Sequence, residues 1–166
     1  MHDLILIGLP ASGKTSAGRL LSQRLAMPIF DCDDAVAAAA GRSIPDIFAQ
    51  QGEEGFRQLE SRVLRELCGR EGCVIATGGG AVLREENRRL LRRSGTVFWL
   101  DRPLSDIMST DFQAGRPLLA AGRAALEALA AQRRPLYAEC ACCRIGEPVL
   151  ERAVAEIQRI WEGEAS

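Results

Sequence analysis

Short apolar runs alternate with longer amphipathic stretches along the whole chain. Leu4-Ile5-Leu6-Ile7, after Asp3, is a continuous apolar run, the pattern of a strand buried on both faces of a parallel sheet. From Thr15 to Ala26 the apolar residues Ala17, Leu20, Leu21 and Leu25 are spaced for one face of a helix. The alternation continues and predicts strands at 3–8, 27–31, 73–77, 96–100 and 143–146. It predicts helices at 14–26, 33–40, 44–51, 54–68, 84–93, 103–109, 123–132, 134–141 and 148–162. That succession implies an α/β fold of three layers, a parallel sheet covered by helices on both faces. With 166 residues and no linker, repeat or low-complexity block, residues 1–166 read as a single domain. Ligands of such folds bind beyond the carboxyl ends of the strands, so the chemistry should lie where the strands end.

The first strand runs into Gly8-Leu9-Pro10-Ala11-Ser12-Gly13-Lys14-Thr15, which reads G-x-x-x-x-G-K-T and leads directly into a helix. Strand, glycine loop and helix in this order turn backbone N–H groups and a helix N-terminus toward one point, which attracts phosphate. Gly8, Ala11, Ser12, Gly13, Lys14, Thr15 and Ser16 are therefore candidate contacts for the phosphates of ATP. Lys14 would reach the β- and γ-phosphates, and the Thr15 hydroxyl would ligate Mg²⁺. Composition sharpens this reading, because Lys14 is the only lysine among 21 basic residues and all the others are arginine. A compact ammonium suits a phosphate cradle that the broad guanidinium fork does not.

The second strand ends in Phe30-Asp31-Cys32-Asp33-Asp34. Asp31 and Asp33 point the same way from an extended backbone; one can hold Mg²⁺ through water and the other can accept a hydrogen bond from a substrate hydroxyl. Alternatively, Asp33 or Asp34 caps the helix that follows. The third strand leads into Thr77-Gly78-Gly79-Gly80. Consecutive glycines are entropically costly, and make sense where a ligand lies against backbone N–H groups; a plain tight turn is the other reading. The fourth strand, Val97-Phe98-Trp99-Leu100-Asp101, has the apolar-run-then-Asp form of a Walker B segment. Asp101 is thus a rival magnesium residue, although Arg102-Pro103 directly after it favours a helix cap. Arginines follow at three places: Arg57, with Glu60 one turn on to orient it; Arg116, in a glycine- and alanine-rich stretch at 110–122 expected to be mobile; and Arg133, in Arg133-Arg134-Pro135-Leu136-Tyr137. Beside a phosphate loop, such arginines suit clamping a carboxylate substrate and covering a transferring phosphoryl group.

A net charge of −1 with both signs interspersed argues against nucleic acid as a partner. The short apolar runs argue against a membrane span, and the chain reads as a soluble cytoplasmic protein. The six cysteines show no zinc spacing, and the one histidine is His2. Cys140, Cys142 and Cys143 form the one cluster and are expected to be small buried residues.

Taken in order, G-x-x-x-x-G-K-T, F-D-x-D, G-E-x-x-F-R, T-G-G-G, R-P-L-L and R-x-P-L-Y span about residues 4–145, and in this the chain resembles the shikimate kinases. The resemblance implies a nucleoside-monophosphate-kinase-like fold with a five-stranded parallel sheet in the order 2-3-1-4-5. It implies a substrate-binding region at about 32–61, a lid at about 110–122, and transfer of the ATP γ-phosphoryl group to the 3-hydroxyl of shikimate. By position, Lys14 and Thr15 match the phosphate-loop lysine and the magnesium hydroxyl. Asp31 matches the carboxylate that reaches Mg²⁺ through water, and Asp33 the one that binds the shikimate hydroxyls and takes the proton. Arg57 and Arg133 match the pair gripping the shikimate carboxylate, Glu60 the residue positioning Arg57, Gly78, Gly79 and Gly80 the substrate-side glycine loop, and Arg116 the catalytic lid arginine. Asp101 then lies outside the metal site. The chain departs from the family at Ser109, where an arginine commonly stacks on adenine, and in a short Gly146-Glu147-Pro148 loop. A monomer is expected. The competing readings are a related small-molecule kinase such as a gluconate kinase, a nucleoside-monophosphate kinase, or a catalytically silent binding module of the same fold.

Overall fold

β1 (Asp3–Ile7) is buried along its whole length and occupies the centre of the sheet. The computed structural model describes residues 2–114 and 122–164. The other strands are β2 (Ile29–Asp31), β3 (Val74–Ala76), β4 (Gly95–Leu100) and β5 (Cys143–Ile145), in the order β2-β3-β1-β4-β5. Every pairing is parallel; Ile5 lies opposite Ile75 on one side and Val97 on the other. The helices are α1 (Lys14–Leu25), α2 (Cys32–Ala40), α3 (Ile44–Cys68), α4 (Glu85–Ser94), α5 (Leu104–Ala114), α6 (Arg123–Cys140) and α7 (Leu150–Glu164). A short 3₁₀ turn at Ala81–Leu83, which the periodicity does not reveal, follows the glycine loop.

The period-2 geometry of the strands divides the core between two faces. Leu4 and Leu6 of β1, Val74 of β3 and Phe98 and Leu100 of β4 pack with Leu21, Val154 and Ile157 under α1 and α7. Ile5 and Ile7, Ile75, and Val97 and Trp99 pack with Val36, Leu64, Leu91 and Tyr137 beneath α2, α3, α4 and α6. A strand apolar at every position is what a sheet buried on both faces requires, and each fully buried aliphatic chain contributes about 1.5–3 kcal/mol. Among the described residues, no helix is long and apolar enough to cross a membrane.

Two helix boundaries are instructive. The predicted helices at 44–51 and 54–68 are both present, running in succession within α3 and separated by a break where Gly52 takes φ 69° and ψ −177°. That left-handed φ breaks the helical path at little cost only for glycine. The predicted break between 132 and 134 is absent, and α6 runs on through Pro135. Pro135 forfeits one helical hydrogen bond, yet the helix continues because its inner face, Leu126, Ala130, Arg133, Tyr137 and Cys140, is buried. The same burial places Arg133 and Tyr137 on one side of one helix.

Candidate active site

The carboxyl ends of β1, β2 and β3 open into a cleft of about 1140 Å³, lined among others by Lys14, Thr15, Asp31, Asp33, Arg57, Gly78 and Arg133. The loop after β1 turns into α1 at Gly13, whose φ of 93° suits glycine. Ala11 also takes a positive φ, 60°, a strained choice of the kind functional loops retain. The Lys14 ammonium is 8% exposed and donates to the carbonyls of Gly8 and Leu9, each at 2.8 Å. Ser12 Oγ lies 3.5 Å from the same nitrogen. Ala11, Ser12, Gly13, Thr15 and Ser16 line the cleft beside it, while Gly8 sits beneath the ammonium.

Across the cleft the Thr15 hydroxyl donates to Asp31 Oδ2 at 2.5 Å. The other oxygen, Oδ1, accepts the backbone N–H groups of Asp33 and Asp34 at 2.9 and 3.2 Å. Asp31 is thus the N-cap of α2, the role that the alternative reading gave to Asp33 or Asp34. It leaves Asp33 open to the cleft. Burial, followed by the charge of Asp31, pushes the Asp33 carboxyl above its ordinary range, and Lys14 pulls it part of the way back. Thr15 Oγ1 and Asp31 Oδ2 form a pair of hard oxygen donors. No group of three or more His, Cys, Asp or Glu among the described residues could cage a metal. That donor set fits a magnesium ion shared with nucleotide phosphates and water, and not an all-protein site.

Gly78, Gly79 and Gly80 form a plate with a different neighbour behind each Cα. A Cβ at Gly78 would stand 2.8 Å from Glu60 Oε2 and 2.9 Å from Asp33 Oδ1. At Gly79 it would meet Pro10 Cδ at 2.8 Å, and at Gly80 it would collide with the Arg57 guanidinium. These glycines do form a turn, closed by Ala81 N–H on the Gly78 carbonyl, but it is close approach that requires them to be glycine. Arg57 Nη1 donates to Glu60 at 2.8 Å, and Glu60 is 2% exposed with its second oxygen unpartnered. Burial raises the Glu60 carboxyl above its ordinary range, opposed by Arg57. Arg133 is 9% exposed, and its Nε is buried without a hydrogen-bond partner. Two nearly buried guanidiniums facing one cavity favour an anion between them, since a buried cation needs a partner.

The structure brings together every predicted site residue except Arg116, which, with most of the predicted lid, lies outside the described residues. Asp101 proves to have a role of its own: its carboxylate binds Arg144 Nε at 2.7 Å and Arg134 at 3.5 Å, away from the cleft lining. It ties β4, β5 and α6 together. Cys140 is buried as expected, but Cys142 is exposed. Several lining residues escaped the sequence reading. Phe48, stacked on Phe56 at 4.7 Å, shares the wall with Ile44 and Pro45. At the opposite end Arg102 donates to the Ala11 carbonyl at 3.3 Å and lines the cleft beside Glu147 and Pro148, which belong to the short loop already singled out in the sequence. Nothing in the spacing separates these from core or surface residues, because their position depends on how α3 and β4 are placed.

A family model described as shikimate kinase matches residues 10–159. The chain belongs to the shikimate kinase family. A shikimate kinase of Symbiobacterium thermophilum is 49% identical over 164 residues, covering 93% of both chains. One of Neisseria gonorrhoeae is 48% identical, covering 83% of each. Among solved structures, a shikimate kinase of Acinetobacter baumannii in complex with shikimate superposes with a TM-score of 0.90 at 33% identity, over 100% of this chain and 96% of that one. The Aquifex aeolicus enzyme gives 0.85 at 36% identity, over 98% of both chains. The sheet order found here is the one that the shikimate kinase resemblance implied.

Proposed function

We propose that this chain transfers the γ-phosphoryl group of ATP to the 3-hydroxyl of shikimate. One observation carries the reading beyond fold and family. Arg57, Arg133 and the Gly78–Gly80 plate gather beside Asp33 and line the same cleft as Lys14 and Thr15. A ring acid held by two arginines would present a hydroxyl to Asp33, between acceptor and donor sites.

The chemistry then follows from placement. Phosphoryl transfer passes through a loose transition state with charge spread over the phosphoryl oxygens, so catalysis is chiefly positioning and charge neutralisation. Lys14 and the N–H groups of the phosphate loop would hold the β- and γ-phosphates, and Arg116 would add charge from the lid. Thr15 and Asp31 would hold Mg²⁺, which neutralises phosphate charge when bound. Asp33, open to the cleft and raised in pKa, would orient the acceptor hydroxyl and take its proton. Arg57, fixed by Glu60, and Arg133 would fix the carboxylate so that the hydroxyl meets phosphorus in line. A cytoplasmic location and a monomeric state go with this reading.

The test is an ADP-release assay with ATP and Mg²⁺, offering shikimate, gluconate and AMP in parallel. Shikimate-dependent release alone is expected. Release with gluconate or AMP alone would discard the arginine clamp. Shikimate binding with no release from any acceptor would make the chain a silent binding module.

A further inference from the structure

Tyr137 is the only tyrosine of the chain and is 0% exposed. A buried phenol needs a partner for its hydroxyl. Its Oη donates to the Gly79 carbonyl at 2.6 Å, and the Arg133 charge, one turn earlier on α6, acts on the phenol. Trp99 of β4 lies against the ring at 5.8 Å between centroids, so sheet and helix both fix the phenol's position.

What the phenol grips is a segment with no side chains to fix it. The carbonyls of the glycine plate each have a taker: that of Gly78 accepts Ala81 N–H at 3.1 Å, and that of Gly80 accepts Leu83 N–H at 3.1 Å. Those two bonds are local, closing turns within residues 78–83. The Gly79–Tyr137 bond reaches another element. Gly79 in turn presses on Pro10 of the phosphate loop, so closely that a Cβ there would stand 2.8 Å from Cδ and 3.0 Å from Cγ. The chain of contacts therefore runs from Arg133 through Tyr137 and Gly79 to Pro10, linking the acceptor clamp to the donor loop.

We propose that Tyr137 is a positioning residue for phosphoryl transfer: by holding Gly79 against Pro10 it sets the spacing between the bound acceptor and the γ-phosphoryl group. The inference rests on the shikimate-phosphorylating reading given above. Reacting atoms must come within about 3–3.5 Å, and a displacement of about 1 Å costs on the order of 10²-fold in rate. Burial pushes the phenol up to about 12, opposed by Arg133 and Arg57, so the donor stays protonated at working pH.

The decisive variant is Tyr137→Phe, which removes one oxygen and keeps the packing. It is expected to lower kcat and raise the shikimate KM so that kcat/KM for shikimate falls about 10- to 100-fold, with the ATP KM within about twofold of wild type. The share of ADP released without phosphorylated acceptor should rise, because a slack plate lets water compete. Equal movement of both KM values, or movement of neither, overturns the proposal. Should that variant not fold, fluorotyrosine incorporation replaces this one tyrosine alone. Its more acidic phenol should give the shikimate KM a rise with pH that wild type lacks and that the ATP KM does not share; an unchanged profile overturns the proposal. A wild-type protein without shikimate-dependent ADP release would instead overturn the underlying reading.

Discussion

The Thr15 hydroxyl and the Asp31 carboxylate meet at 2.5 Å, and the same carboxylate caps α2 through its other oxygen. Asp31 therefore has two functions that can be separated. Asparagine keeps an acceptor for the cap but loses the charge that would draw Mg²⁺, whereas alanine loses both. Asp31→Asn should keep the melting temperature and raise the Mg²⁺ concentration for half-maximal activity by about tenfold or more. Asp31→Ala should also lose about 1 kcal/mol of stability. Magnesium titrations of activity beside melting curves read both effects, and an unchanged magnesium dependence in Asp31→Asn would remove it from the metal site.

Asp33 gives a pH prediction with two opposite signs. Its carboxyl is raised above its ordinary value of 3.8, chiefly by burial. If it takes the acceptor's proton, the shikimate-dependent rate falls as pH drops through that raised value, at higher pH than a free aspartate would give. Stability runs the other way. The native state holds the proton more tightly than the unfolded chain, so this contribution is full below the unfolded value and is lost as pH rises through the folded one. Asp33→Asn should lower kcat by about 10²–10⁴-fold and abolish the acid limb. Its melting temperature should gain on wild type as pH rises from about 4 to 7. A melting difference independent of pH would contradict the assigned shift.

Gly80→Ala tests the plate from the substrate side. The new Cβ would occupy the space of the Arg57 guanidinium, which must swing away from Glu60. Shikimate KM should rise about tenfold while ATP KM stays within about twofold. If both constants hold, Arg57 has room to give and its fixed position is not needed for binding.

Lys14→Met removes the ammonium that would face the transferring group. Activity should fall below about 1% of wild type, the scale of losing one preorganised electrostatic contact. Stability should fall by about 1–3 kcal/mol, because the carbonyls of Gly8 and Leu9 lose their buried donor. Turnover well above that level, measured by coupled ADP release in folded protein, would remove Lys14 from the catalytic role.

The sheet and the phosphate loop were legible because each follows from local pattern. Leu4-Ile5-Leu6-Ile7 can be satisfied only between two layers, and Gly13-Lys14-Thr15 only where a strand turns into a helix. The choice of cap for α2 was not legible. Asp31, Asp33 and Asp34 are chemically alike, and only the exact residue at which β2 gives way to α2 decides which one accepts the exposed N–H groups. Pro135 misled because a local rule was outweighed by the burial of α6 on both sides of it. Asp101 read as a helix cap, and its ion-pair role was hidden because its partners, Arg134 and Arg144, come from α6 and β5. Arg102 was missed for the same reason, its partner Ala11 being distant in sequence, and Phe48 because its ring meets Phe56 across the bend at Gly52.

The solitary lysine has a practical consequence. Acylating reagents that attack amines find one ε-amino group in the whole chain, and it lies 8% exposed in the cradle that would hold nucleotide phosphates. Apart from the amino terminus, each modified molecule would carry its mark at Lys14. Protection of that single mark by nucleotide, followed as a mass shift of the intact protein, would report occupancy of the donor site without any enzymatic turnover.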